Sequence, residues 1–279
     1  MCVIWGIPYL LIRVAVRELT PATLVLARTA LAAVLLLPLA AYRSELRPVL
    51  RAWRPLVAFA VVEIAVPWPL LSSAEERITS SLTALLIAAT PLVGSAIVLV
   101  TGDDERLGRR RLLGLLIGIA GVAAVVGLDV SGVSIPALLE IGAVTVCYAT
   151  GPIILTRYLS DLPGIGVITL SLALCAVLYA PVGIAQAPSS MPSANVLASV
   201  VVLAVVCTSV AFVLFFALIA EVGPVRATVI TYINPAVATV AGVAILNEPF
   251  TAGMAIGFVL VVLGSYLATQ RTRVAAGAS

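Results

Sequence analysis

Two ionisable residues lie deep within apolar stretches of the chain, where they could act on a solute or a proton. Glu63 follows Arg54, the end of an arginine-rich segment, by nine residues, or about 13 Å of helix. A carboxylate at that depth costs a few kcal/mol unless it is paired or protonated. Arg28 lies 15 residues before Arg43, and its guanidinium can bind a carboxylate or a phosphate through two hydrogen bonds.

Three roles are open for Glu63: handling of substrate or protons, a structural ion pair with Arg28, or a position facing an aqueous cavity. The two residues differ in depth by about 9 Å, which two long side chains or one water can bridge. Arg28 could therefore serve as an anion clamp, as the partner of Glu63, or as both. Because the chain contains no histidine and no lysine, proton chemistry would fall to carboxylates. We expect no cofactor, no metal site and no catalytic residue.

Aromatic residues with a polar edge, near the middle of apolar stretches, are the other candidates for a binding site. Their rings suit the wall of a mostly apolar pocket, and they serve equally well in helix packing. The set consists of Trp5, Tyr9, Trp68, Tyr148 and Tyr232. Asn234 joins them, because its amide could recognise substrate or satisfy a backbone group freed by Pro235.

The composition excludes a water-soluble globule. Hydrophobic residues make up 62% of the chain and charged residues 10%, with a mean hydropathy of +1.20, whereas a soluble domain carries about 25% charged residues. The apolar runs are long enough, as helices, for a bilayer core of about 30 Å. The net charge of +3 is too small and too scattered to indicate a nucleic-acid partner. We expect the lipid bilayer and a small-molecule substrate as partners.

The two halves of the chain follow one template. Pro8 recurs as Pro152, 144 residues later, and Pro91 recurs as Pro235 at the same offset. Further pairs are Arg13 with Arg157, Glu105 with Glu248, Gly114 with Gly257 and Gly121 with Gly264. The duplication predicts an all-α integral membrane protein with ten transmembrane helices. Because each five-helix repeat has an odd number of spans, the second would enter the bilayer upside down, and such inverted repeats build alternating-access transporters.

The predicted repeats occupy residues 1–130 and 131–273, followed by a short tail over 274–279. The predicted spans are 1–17, 21–42, 54–73, 79–101, 111–129, 134–156, 164–186, 195–219, 225–246 and 252–270. Twelve of the 16 arginines fall on one side of this arrangement and two on the other. Since positive charge marks the cytoplasm, we expect a multi-pass inner-membrane protein with both termini in the cytoplasm.

The first span is short. Only 12 residues precede Arg13, which corresponds to about 18 Å of helix. We therefore expect the natural protein to start upstream of Met1.

Glycines at helical spacing predict close contacts between helices. Gly114 and Gly118 lie on one face of a span, and Gly253 and Gly257 do so on another. We expect these faces to pack within one chain, with a dimer interface as the alternative. The protein would then be a monomer or a weak homodimer.

A run of motifs follows one order along both halves. It begins with Trp5-Gly6, Tyr9 and Arg13 in the first span and continues with Arg28 in the second. The repeated proline, glutamate and glycine pairs extend it over the whole chain. Together these residues resemble the EamA family of drug/metabolite transporters. The resemblance implies a ten-helix fold, a central cavity lined by the first four helices of each repeat, and export of small solutes.

These observations favour a transporter over an enzyme. We expect a secondary transporter that exports a small organic metabolite, an amino acid or a drug by alternating access, coupled to protons or uncoupled. One alternative is a phosphorylated-sugar or nucleotide-sugar exchanger. A single arginine deep in the membrane offers little positive charge for a dianionic phosphate. Another is a membrane-embedded enzyme acting on lipid, which the absence of histidine disfavours. A membrane sensor or scaffold would need a soluble domain or a charged tail.

A cysteine introduced at Arg109 should react with an impermeant maleimide only from the cytoplasm, and one at Ser190 only from outside, because the arginine asymmetry orients the chain. Labelling of intact cells and of inverted vesicles measures this, once the four native cysteines are replaced. Reaction of both positions from the same face would contradict the ten-span arrangement.

Overall fold

The computed structural model describes residues 1–101, 109–127, 134–222 and 230–269, and every regular element in these ranges is a helix. In the first half the α-helices are α1 (Cys2–Gly6), α2 (Pro8–Ala15), α3 (Pro21–Tyr42), α4 (Leu46–Arg51), α5 (Trp53–Ala60), α6 (Pro67–Glu75), α7 (Ser80–Ile87), α8 (Thr90–Thr101) and α9 (Arg109–Gly127). In the second half they are α10 (Ile135–Tyr158), α11 (Gly164–Ala185), α12 (Ala194–Ala204), α13 (Ala211–Val222), α14 (Ile230–Leu246) and α15 (Ala252–Thr269). Two π-helical segments, π1 (Val61–Ala65) and π2 (Val205–Val210), join α5 to α6 and α12 to α13.

Seven helical stretches among the described residues are long and apolar enough to cross a membrane. They are Pro21–Tyr42, Trp53–Glu75, Ser80–Ile97, Ile135–Tyr158, Gly164–Ala185, Ala194–Val222 and Ala252–Thr269. Two shorter apolar helices cover Cys2–Ala15 and Tyr232–Leu246. The chain is therefore a helical membrane protein, whereas the count of ten spans and their inverted arrangement stay predictions.

Prolines start several of these helices. Helix α1 ends at Gly6 and α2 begins at Pro8, while α6 begins at Pro67, one residue after π1. A proline in the first turn of a helix costs little, because the N–H that it lacks would have no helical partner there. By contrast, Pro152 and Pro235 lie inside α10 and α14. Prolines in this bundle therefore occur both at helix starts and inside long helices.

Helices α9 and α15 approach each other through glycines. A Cβ on Gly264 would lie 2.6 Å from the carbonyl oxygen of Gly114, and a Cβ on Gly257 would lie 2.8 Å from that of Gly121. These distances are too short for any side chain, so only glycine allows the two backbones to come this close. The predicted glycine faces pack against each other within the chain.

Four further pairs of helices join the first half of the chain to the second. Helix α3 packs on α11, α7 on α14, α6 on α10, and α2 on α12. One apolar cluster joins α2, α6, α7, α10 and α12, and a second joins α3, π1, α6 and α11. Tyr148 on α10 packs against both clusters. The residues near Tyr148 therefore lie between two apolar layers.

Two polar contacts, which we call the outer links, join the halves at the face that the arginine distribution predicts to be outer. Glu18 accepts a hydrogen bond from the backbone N–H of Ser193 at 2.7 Å, and Arg77 pairs with Glu140 at 2.5 Å. Hydrogen bonds from the side chain and backbone of Ser193 lower the pKa of the exposed Glu18 carboxyl below its ordinary 4.5. The Glu18 contact thus stabilises the fold fully above that ordinary value and is lost as pH falls through the lowered one.

Gly264→Ala should lower the free energy of unfolding by about 1–3 kcal/mol, because the added methyl meets the backbone of Gly114 and Gly118. Gly94→Ala is the matched control, since a Cβ there would lie at an ordinary 3.9 Å from the Cβ of Ala149. Thermal unfolding in detergent measures both variants. Equal midpoints for the two would contradict the close approach of α9 and α15.

Candidate functional site

Arg28 on α3 is buried, with 8% of its surface exposed. Its Nε donates a hydrogen bond to the Thr208 hydroxyl at 2.9 Å, and its guanidinium carbon lies 3.7 Å from the centre of the Trp68 ring. A cation placed over an indole face gains about 2 kcal/mol when both groups are removed from water. Arg28 is therefore held by one neutral hydroxyl and one aromatic face.

No carboxylate balances this charge at ion-pair distance among the described residues. The ion pairs in that part of the chain lie elsewhere, near helix ends. The alternative in which Glu63 forms a structural ion pair with Arg28 is therefore wrong. The physical reason is the direction of the two side chains, because Arg28 reaches from α3 to π2 whereas Glu63 faces α10.

Glu63 lies in π1 and is half-buried. Its Oε2 is inaccessible and has no hydrogen-bond partner. Gly151 on α10 provides the space for this carboxylate, because a Cβ at Gly151 would overlap Oε2. Cys147 and Tyr148 on the same helix interact with Glu63 electrostatically. A carboxylate with an unsatisfied buried oxygen can take up a proton or accept a hydrogen bond from a solute.

Two tyrosines connect these charged residues. Tyr148 on α10 interacts electrostatically with Glu63, with Arg28 and with Tyr9, and Tyr9 on α2 interacts with Arg28. Both rings pack against the first apolar cluster, so their hydroxyls are polar atoms in an otherwise apolar wall. The structure thus brings five predicted site residues together, which we call the central cluster: Arg28, Glu63, Trp68, Tyr9 and Tyr148.

Two further predicted residues lie at the first helix. Trp5 packs on the rings of Phe212 and Phe215, with centroid distances of 5.7 and 4.7 Å. The carbonyl oxygen of Asn234 would lie 3.0 Å from a Cβ on Gly6, which places α14 against α1. Trp5 and Asn234 are therefore both at this contact between the two halves of the chain.

Tyr232 lies apart from the central cluster. Its hydroxyl shares a hydrogen bond of 3.0 Å with the hydroxyl of Thr269 on α15, at an exposed position. This contact connects the ends of α14 and α15. The structure does not bring Tyr232 to the other site residues.

The two π segments place residues of the site, and hydroxyl groups satisfy the carbonyls that the irregular backbone frees. In π2, the Thr208 hydroxyl donates to the carbonyl of Leu203, five residues earlier, while it accepts from the buried guanidinium. After π1, the Ala65 carbonyl loses its helical donor because Pro69 has no N–H, and the Tyr179 hydroxyl donates to it at 2.6 Å. Since unsatisfied backbone groups cost several kcal/mol in a bilayer, these hydroxyls allow the helices to widen here.

Two residues near the site escaped the sequence prediction. The sequence contains one signal that could have identified Thr208. Its segment, π2, starts 144 residues after π1 and so repeats the segment that contains Glu63. The predicted third span ends at residue 73, which would leave Glu75 in a loop. Helix α6 instead continues to Glu75, which is completely buried.

Comparison with known proteins agrees with a membrane carrier fold. The profile of the EamA-like transporter family matches residues 1–127 and 136–270. The chain is 27% identical over 276 residues to the inner membrane transporter YedA of Escherichia coli strain K12, covering 95% of the chain and 89% of YedA. The same figures hold for YedA of strain O157:H7. A solved crystal structure with 22% identity has a TM-score of 0.69 and covers 96% of this chain and 93% of its own, which shows the shared fold.

Gly151→Ala should lower the free energy of unfolding by about 1–3 kcal/mol, because the methyl takes the space of the Glu63 carboxylate. In a Glu63→Ala background the same change should cost little, since the obstructing carboxylate is gone. Gly142→Ala on the same helix is the control, because a Cβ there meets nothing within 4 Å. Thermal unfolding in detergent measures the cycle, and equal costs of Gly151→Ala in both backgrounds would rule out the contact.

Proposed function

The chain belongs to the EamA-like transporter family, and we propose that it exports a small organic solute across the inner membrane by alternating access. The central cluster carries this proposal. It combines a buried guanidinium with a carboxylate whose Oε2 is unsatisfied, between apolar layers of a membrane-spanning bundle. Ionisable residues at such positions mark the paths of substrates and ions in membrane proteins.

Two inverted five-helix repeats would supply the alternation. The glycine contacts support this arrangement, because Gly114 meets Gly264 while Gly121 meets Gly257, so that each residue and its repeat partner exchange roles. The packing of α2 on α12 likewise has its counterpart in that of α10 on α5, since α10 and α12 lie 144 residues after α2 and α5. Rocking one repeat against the other would open the central cluster to one side of the membrane at a time.

Arg28 fits an anionic group on the solute. Within the described residues only its Nε forms a hydrogen bond, to Thr208, so both Nη groups are left to donate to a carboxylate. One guanidinium matches one negative charge, which favours an amino acid or another monocarboxylate over a sugar phosphate. The rings of Trp68, Tyr9 and Tyr148 would form the wall around the rest of the solute. A small metabolite, an amino acid or a drug with a carboxylate meets these requirements.

Glu63 would couple this movement to protons. Tyr148 interacts electrostatically with both Glu63 and Arg28, so the charge on Glu63 would depend on the ligand that Arg28 holds. Binding of a proton to Glu63 and binding of an anion to Arg28 would then influence each other. Both termini would lie in the cytoplasm, as the arginine distribution predicts.

Glu63→Gln should abolish the dependence of solute flux on outer pH while solute exchange stays measurable, because glutamine imitates the protonated carboxyl. Flux of labelled amino acids and small organic acids in proteoliposomes, at acidic and at alkaline outer pH, measures this. Glu76→Gln removes an exposed carboxylate and should leave the pH dependence unchanged.

Two outcomes would contradict the proposal. Persistent pH-dependent flux in a folded Glu63→Gln protein would exclude Glu63 as the coupling residue. Lack of saturable flux for every carboxylate in the wild-type protein would exclude the solute class assigned to Arg28.

A further inference from the structure

Glu75, at the end of α6, is a second buried carboxyl group outside the central cluster. None of its surface is exposed, and neither side-chain oxygen has a hydrogen-bond partner. Arg13 on α2 interacts with it electrostatically, but its guanidinium donates to the backbone carbonyl of Glu75. Because an ionised carboxylate without a partner costs several kcal/mol in a buried site, the surroundings of Glu75 favour the neutral, protonated form of its side chain.

Glu248, which interacts electrostatically with Glu75, holds the negative charge of this pair. Its two oxygens accept four hydrogen bonds of 2.5–2.9 Å from the backbone N–H groups and hydroxyls of Ser80 and Ser81. These donors form the first turn of α7, where a helix stabilises an anion. Gly242 leaves the space that the Glu248 carboxylate needs. The four donors suit a negatively charged Glu248, and this charge would repel a second one nearby. The pair therefore favours a proton on Glu75.

The other charged groups near the end of α6 do not compensate Glu75. Arg77 pairs with Glu140 from α10, and Glu76 is exposed. Tyr9 is different, because it interacts electrostatically with Glu75 and also belongs to the central cluster. Within the central cluster, Tyr9 therefore provides the electrostatic connection to Glu75.

Glu75 lies beside one of the outer links. Arg77, two residues further along the chain, pairs with Glu140. At the 144-residue offset of the two repeats, Glu75 corresponds to Ile219, so the second half has no carboxylate at this position. The next step rests on the proposed function: an inverted-repeat carrier opens its outer side when access alternates. Separation of Arg77 from Glu140 would then expose the end of α6 and Glu75 with it.

We propose that Glu75 is a proton-binding site that exchanges with the outer solution when the outer side opens and is sealed when the outer links close. In the open state, a hydronium ion transfers its proton to the Glu75 carboxylate, which leaves water and a neutral carboxyl group. Closure buries that group beside Tyr9.

Infrared spectroscopy of the full chain in liposomes tests whether Glu75 holds a proton. A Glu63→Gln background is used, so that a proton on Glu63 cannot contribute. The C=O stretch of a carboxylic acid is absent from an ionised carboxylate, so this protein at neutral pH should show such a band. Glu75→Gln should remove it, and Glu221→Gln, which removes an exposed carboxylate, should leave it intact. Glu75→Asp should keep the band at a shifted frequency, which separates loss of the proton from loss of the fold.

Three results in the Glu63→Gln background would overturn this assignment: no carboxylic-acid band, a band that survives Glu75→Gln, or a band that disappears when Na⁺ replaces choline in the buffer. The last would identify a metal-cation site at Glu75 instead. The infrared measurement needs no solute, so a failure of the proton-site proposal can be distinguished from a failure of the proposed function. Loss of pH-dependent flux in Glu63→Gln without a Glu75 band would refute only the proton site, and a Glu75 band without solute flux would refute only the transporter.

Discussion

The buried guanidinium of Arg28 is the constraint on which the arrangement of the bundle depends. The protein compensates this charge with the Thr208 hydroxyl and the face of Trp68, and a carboxylate takes no part. Three spans must therefore keep a fixed rotation: α3 carries the cation, α6 supplies the indole, and π2 supplies the hydroxyl. A carboxylate partner would have neutralised the arginine and taken up its donors. Compensation by neutral groups instead leaves both Arg28 and Glu63 able to respond to a ligand.

The backbone of a membrane protein limits where such a site can be built. Every N–H and C=O in the bilayer needs a partner, so an irregular segment survives only where side chains replace the lost helical bonds. Thr208 and Tyr179 do this beside the two π segments. Both segments lie at the same position of the sequence template, yet π1 carries Glu63 where π2 carries Cys207. The duplicated scaffold therefore presents different chemistry on its two sides, with the carboxyl in one half and the hydroxyl that holds the guanidinium in the other.

Much of this fold could be predicted from the sequence, because long apolar runs and prolines mark the spans to within a few residues. The central cluster was also predictable in membership, since ionisable and polar aromatic residues are rare at depth. Its internal contacts were not. Depth along two helices placed Glu63 within reach of Arg28, but the rotation of each helix about its own axis turns them apart. Glu75 was missed for a different reason, because a helix end displaced by two residues changes a loop carboxylate into a buried one.

The two buried carboxyl groups also connect the energetics of closure to pH. If Glu75 binds a proton in the closed state and releases it in the open state, closure takes up one proton. Each unit of outer pH then changes the ratio of closed to open protein by up to about tenfold, which corresponds to about 1.4 kcal/mol. The hydrogen bonds to Glu248 also hold the two halves together, because this carboxylate keeps its four donors only while the start of α7 and the segment after α14 stay in contact. Under this proposal, closure of the outer side would combine a fixed set of hydrogen bonds with the binding of one proton, whose contribution depends on the outer pH. A carrier built in this way can hold its outer side shut without an ion pair in its centre, which leaves Arg28 available for the solute.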